Sequence, residues 1–273
     1  MRFRRLRTSL NPHLKSGGCF FINCLAKLIT AMADLTERQI QILKGIIEEF
    51  IAGAEPVGSE VLAEKYQFPF SPATVRNEMA VLHREGFIEK PHSSAGRNPS
   101  ELGLRYYLTS LMKENQIPVL QEVAIKQRLF QYRQTYDRML REAALSLSEG
   151  SGYIGIVTTH EGTVYHAGTK NILDHPEFFD INVTREALNI LDNYDSLQDF
   201  FSRAADPKAV TVLIGKEFGL PNLEKIGLVF SHYGGDKKGG VVAVMGPARL
   251  NYPVVVPQVR HLSQLLTELS SAF

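Results

Sequence analysis

Arg76 and Asn77 stand in the run Ser-Pro-Ala-Thr-Val-Arg-Asn-Glu-Met, Ser71 to Met79, and their neighbours decide what chemistry they can do. Ser71 followed by Pro72 has the form of a helix N-cap with a first-turn proline. Val75, Met79 and Leu82 then recur at i, i+4 and i+7, which makes one apolar face. The opposite face of the first turns carries Ser71, Ala73, Thr74, Arg76 and Asn77. A guanidinium suits the O6 and N7 edge of guanine, and a carboxamide suits adenine. Small hydroxyls and exposed helix-start amides suit phosphate oxygens. Each of these residues alone is an ordinary solvated side chain, but their order points to DNA.

A second element follows. Phe87 to Lys90 reads as a strand, and Pro91 to Pro99 as a loop whose His92, Ser93, Ser94 and Gly96 are small or flexible, with Arg97 expected as a long cation at its tip. Such a wing follows the backbone or enters a minor groove. The candidate DNA contacts are therefore Ser71, Thr74, Arg76, Asn77, His92, Ser93, Ser94 and Arg97. Between Ser71 and Arg105, five basic residues face four acidic ones. So slight an excess predicts weak binding by one copy, and a dimer would multiply the contacts.

The elements that must position these residues are legible upstream. Ile40, Leu43, Ile46, Ile47, Phe50 and Ile51 recur at threes and fours after a Thr36 cap, and Gly53 ends that helix. A short helix capped by Ser59 runs through Leu62 and Tyr66. Helix, helix, helix, strand, loop is the order of a winged helix-turn-helix. Ser100 caps a further helix with Leu104, Tyr107, Leu108 and Leu111. Beyond Pro118, Ile125, Leu129, Tyr132, Tyr136, Met139 and Ala143 alternate steps of four and three. That is a heptad seam, and its first five residues are the expected dimer contact.

After Gly150 come short strands at 153–158, 163–166, 210–214, 226–232 and 241–245, with helices near 185–194, 197–204 and 256–271. The expectation is an α+β domain, an antiparallel sheet with helices on one face. The chain thus divides into a basic extension at 1–33, a DNA-binding domain at 34–112, a linker and dimerisation helix at 113–150 and a regulatory domain at 151–273. The first segment has six basic residues and no acidic ones. It is read as an extension or a misassigned start rather than a signal peptide, because Met32 directly precedes a well-formed helix start.

Composition narrows the function classes. The formal charge is +1 with 44% hydrophobic and 22% charged residues, which excludes a global polycation and makes any nucleic-acid site local. The two cysteines, Cys19 and Cys24, have no second pair to form a zinc module, and no apolar stretch is long enough for a membrane span. A cytoplasmic protein is expected. The eight histidines are scattered, the glycines of Tyr233 to Gly240 lie between strands as a hairpin connection, and no nucleophile elbow occurs. Neither metal, cofactor nor enzymatic activity is expected. A small effector bound by the C-terminal domain, or a purely protein-binding platform there, are the alternative readings.

Leu35 to Leu108 closely resembles the winged-helix domain of the heat-inducible transcription repressor HrcA family. The resemblance rests on Glu-Pro-Val-Gly-Ser, on Ser-Pro-Ala-Thr-Val-Arg-Asn-Glu-Met and on Ser-Ala-Gly-Arg leading to Arg-Tyr-Tyr. His166 to Phe178 and Val241 to Leu266 resemble that family's C-terminal, GAF-like region. The resemblance implies a repressor of chaperone genes that binds an inverted-repeat operator as a homodimer, with a GroEL-type chaperonin keeping it active. Between Thr158 and Val164 this chain is shorter than the family pattern, which carries further strands and an inserted dimerisation domain. The heptad seam is the expected substitute for that insertion.

Overall fold

The computed structural model describes residues 35–91, 96–132, 135–235 and 239–270. Helix α1, Glu37–Gly53, begins with a capping box in which the Thr36 hydroxyl accepts from the Gln39 amide and Gln39 accepts from the Thr36 amide. It ends on Ala54, whose φ of 58° is left-handed. Helix α2 spans Ser59–Tyr66. Gly58 occupies its cap position and Ser59 is already helical and buried, so Ser59 is not the expected cap. Helix α3 is Pro72–Arg84, and Gly86 at φ 83° turns the chain out of it. The antiparallel pair β1, Ile88–Glu89, and β2, Asn98–Pro99, closes the unit.

These elements pack because their apolar stripes converge. Ile42, Leu43, Ile46 and Ile47 of α1, Leu62 of α2 and Val75 and Leu82 of α3 are all fully buried. Ser100 then does two jobs. Its hydroxyl donates to the Gly86 carbonyl at 2.6 Å and accepts from the Gly103 amide at 3.1 Å, so it fastens the turn after α3 to the start of α4, Glu101–Tyr106. That helix runs on as a π-helical turn through Leu111.

The expected single heptad helix is two. Helix α5, Val119–Gln131, and helix α6, Tyr136–Ser151, form an antiparallel hairpin in which Arg128 reaches Glu149 at 2.8 Å. Leu129, Met139 and Ala143 are fully buried within their own chain, so these seam positions are occupied intramolecularly. Burial of both halves against one core outweighs helix continuity, because helix stability in proteins comes mainly from packing.

The C-terminal sheet is five-stranded and wholly antiparallel, in the order β4-β3-β7-β6-β5. Its strands are β3 Ile154–Thr159, β4 Val164–Ala167, β5 Thr211–Ile214, β6 Ile226–Tyr233 and β7 Gly240–Pro247. Tyr233 pairs with Gly240, which makes the glycine run a hairpin connection. Helices cover both faces rather than one. Val157, Val229, Val242 and Val244 pack with α6 and with α9, Tyr252–Ser270. Ile156, Leu228, Phe230 and Ala243 pack with α7, Ile181–Asp192, and α8, Tyr194–Phe201. The reason lies in β6 and β7, which carry consecutive apolar residues, Leu228 to Phe230 and Val241 to Met245, buried on both faces. The architecture is α+β.

Pro257 inside α9 has no N–H, which frees the carbonyl of Pro253 four residues earlier. The Asn115 amide donates to that carbonyl at 2.8 Å, and Glu114 pairs with Arg260, so the segment before α5 is held along α9.

Candidate nucleic-acid interface

The start of α3 is built by Ser71. Its hydroxyl accepts from the Thr74 amide at 3.2 Å and lies 3.0 Å from the Thr74 hydroxyl. Val75, Met79 and Leu82 point inward as expected, while Ser71, Ala73, Arg76 and Asn77 are exposed and Thr74 is half-buried. The Arg76 guanidinium lies 3.6 Å from Glu60 of α2, with both side chains more than two-thirds exposed. An ion pair that open to water is worth about 0–1 kcal/mol, so it gives way readily to a phosphate or a base edge.

Two devices fix the angle of α3. Glu78 accepts from the Gln39 side chain at 2.9 Å, so the same carboxamide that caps α1 also holds α3. From the end of α2 into the turn before α3, Tyr66, Phe68 and Phe70 stack in series at 5.6 and 4.9 Å, with Arg38 over Phe70 at 5.4 Å. The helix that carries Arg76 and Asn77 is therefore held at both its entry and its middle.

Arg97 is not at the loop tip. Its backbone forms a two-way bridge with Val57, both N···O distances being 2.9 Å, and its side chain is half-buried at the loop's root. Gly96 explains why the chain can come so close. A Cβ there would lie 2.6 Å from the Val57 carbonyl carbon and oxygen, which are backbone atoms that cannot swing away. His92, Ser93 and Ser94 lie outside the described residues.

Two arginines, Arg249 buried and Arg105 half-buried, bind this unit to the sheet, and neither stands out in the sequence. Arg249 donates to Glu177 at 2.7 and 3.2 Å and to the Ile51 carbonyl at 3.0 Å. Ile51 is in the last turn of α1, where carbonyls have no partner inside the helix. Arg249 thus caps α1 from 198 residues away, and its side chain is only 8% exposed. Arg105 of α4 likewise donates to the Val212 carbonyl at 3.0 Å and pairs with Glu217, whose carboxylate also accepts from the Ile214 amide at 2.8 Å. Glu101 accepts from the Lys216 amide at 2.6 Å, and its burial raises its pKa. No local periodicity announces partners this distant.

A cleft of about 910 Å³ opens beside the Arg249 contact, with Lys44, Glu48, Lys113, Tyr153 and His175 on its walls. His175 stacks on Tyr153 at 5.1 Å, and burial, with nearby Arg249, lowers its pKa. Among the described residues no group of three or more His, Cys, Asp or Glu could hold a metal ion. Among them, no helix is long and apolar enough to cross a membrane.

Residues 102–256 match the family described as the HrcA protein C terminal domain. A heat-inducible transcription repressor HrcA of Thermomicrobium roseum is 28% identical over 334 aligned positions, covering 87% of this chain and 96% of that protein. Since 87% of 273 residues is about 238, about 96 of those positions face a gap in this chain. The HrcA of Shouchella clausii is 42% identical over 123 residues, 45% of this chain and 36% of that one. A crystal structure of a hypothetical protein shares the fold, with a TM-score of 0.70 at 19% identity over 88% of this chain and 99% of that one.

Proposed function

The chain belongs to the HrcA family, and from that premise we propose that it is a transcription repressor of heat-shock genes that binds an inverted-repeat DNA operator. The observation that carries this reading is the exposed Arg76 and Asn77 face of α3, opposite the buried Val75, Met79 and Leu82. Residues 34–112 are the winged helix-turn-helix domain in this reading, with α3 in the major groove. Arg76 and Asn77 read bases, Ser71 and Thr74 hold phosphates, and His92, Ser93, Ser94 and Arg97 belong to the wing. Residues 113–150 are the linker, and 151–273 a GAF-like regulatory domain.

The near balance of charge around α3 supports a dimer as the binding species, with two recognition helices meeting successive major grooves about one helical turn, or a multiple, apart. A GroEL-type chaperonin is the proposed regulatory partner, and the cytoplasm the proposed compartment. The cleft beside Arg249 favours a second reading, in which a small effector acts on the same domain contact.

Arg76→Ala and Asn77→Ala test the base-reading role. Each should cost about 1–3 kcal/mol on the operator and relax discrimination at one base pair. Equal losses on operator and random duplex would contradict base reading and leave Arg76 a phosphate contact.

A further inference from the structure

A carboxylate stands where a DNA-reading face should carry donors and cations. Glu60 lies in the first turn of α2, and its Oε1 is 3.6 Å from Nη2 of Arg76 on α3. Ser71, Thr74 and Asn77 beside Arg76 are uncharged. Glu60 is 84% exposed, so packing in the core does not dictate an acid at this position.

The distance decides what Glu60 can do. The pair itself is weak, so Glu60 does not detain Arg76 and acts instead on what Arg76 meets. A group that hydrogen-bonds Nη2 of Arg76 comes within about 7 Å of the Glu60 carboxylate. That is inside the screening length of about 8 Å at physiological salt. The two kinds of DNA partner then differ in charge. A phosphate carries a full negative charge and is repelled by Glu60. The O6 and N7 edge of guanine carries no formal charge and accepts a two-bond fork. A guanidinium has five N–H donors, and Glu60 lies beside Nη2, so donors remain for that fork. Glu60 therefore offsets the charge that draws Arg76 to any phosphate and leaves the hydrogen bonds that select a base.

The rest of α2 acts in the same direction. Glu64 is exposed one turn after Glu60, and the ammonium of Lys65 is held by Glu49 at 2.8 Å. In a helix-turn-helix the first helix crosses the phosphate backbone, and here that helix offers carboxylates.

We infer that Glu60 is a specificity-determining residue of this interface, one that disfavours phosphate contacts by Arg76 and so weakens binding to non-operator DNA more than binding to the operator. This rests on the base-reading role of Arg76 in the proposed function and adds to it a residue on the preceding helix.

Fluorescence anisotropy of the full chain on the inverted-repeat operator and on a scrambled duplex, over a range of salt, tests this with Glu60→Gln, Arg76→Ala and the double variant beside the parent. Gln keeps the size of an exposed side chain, so thermal melts should match the parent. Glu60→Gln should bind the scrambled duplex about three- to tenfold more tightly and gain less on the operator, so the operator preference shrinks. Its salt slope on the scrambled duplex should steepen by about 0.9, the mark of one further phosphate contact. In the Arg76→Ala background the same substitution should leave that slope unchanged, a dependence that a structural role of Glu60 would not produce. If the parent prefers the operator and Glu60→Gln leaves the preference as it was, base reading by Arg76 stands and the role of Glu60 is overturned. Steepening that persists without Arg76 overturns it too, and assigns the repulsion to α2 as a whole. A parent with no operator preference overturns base reading and the role of Glu60 together.

Discussion

Replacing Arg249 by Met removes three hydrogen bonds at once and exposes the logic of the domain contact. The guanidinium makes a two-bond fork with Glu177 and reaches the Ile51 carbonyl at the end of α1. The two charged side chains are 8% and 14% exposed, so water screens them little. Met fills the aliphatic volume but leaves a buried carboxylate without a cation and a helix-terminal carbonyl without a donor. Removing one partner of a buried pair costs about 3–5 kcal/mol, most of it from the stranded charge. Urea unfolding followed by circular dichroism should report a loss of about 3 kcal/mol or more. Glu177→Gln in the same background should recover part of it, because the stranded charge is gone. Hydrogen exchange in the last turn of α1 should quicken in both variants, since that turn loses its cap. A loss below about 1 kcal/mol, with no coupling between the two sites, would mean that Arg249 is effectively solvated and does not hold α1.

Gly96→Ala forces a methyl against the Val57 backbone. It should destabilise the root of the loop between β1 and β2 by about 1–3 kcal/mol, and, on the proposed function, operator affinity measured by anisotropy should drop, because the Arg97 bridge is displaced. His175 and His232 both have their pKa lowered by burial. The unfolded chain therefore takes up protons that the folded one refuses. Stability is full above the ordinary histidine value near pH 6.5 and is lost as pH falls below it toward the lowered folded values. Thermal melts between pH 7.5 and 5.5 should show this fall, and the double variant His175→Gln, His232→Gln should flatten the slope. An unchanged slope would mean that other groups govern acid stability.

Most of the local structure was legible because it is dictated locally. Thr36, Ser71 and Ser100 cap where a hydroxyl precedes an apolar stripe, and Gly86 breaks a helix where a positive φ is needed. The inward face of α3 follows from three residues at helical spacing, and so does the outward face that carries the candidate contacts. The departures from local rules have tertiary causes. The heptad from Ile125 to Ala143 is continuous in sequence, with no glycine or proline to announce a turn. Tyr132 nevertheless ends α5, where its ring lies under the Arg138 guanidinium at 4.0 Å. Helices on both sheet faces have a partial signal in Leu228 to Phe230 and Val241 to Met245, consecutive apolar residues that an alternating strand would not have. The place of Arg97 at the loop's root is not legible, because its backbone bridge to Val57, 40 residues earlier, leaves no trace in the loop's own composition. Arg249 and Glu177 were invisible for the same reason, since two ordinary surface-type residues become a site only when the fold buries them together.

In the proposed function the exposed face of α3 recognises the operator sequence-specifically. Fluorescence anisotropy of the full chain, on an inverted-repeat heat-shock operator and on a scrambled duplex at one fixed salt near physiological, decides this. A preference for the operator of about a thousandfold or more, the lower range for specific binders, is the predicted result. Equal and weak binding to both duplexes would contradict it.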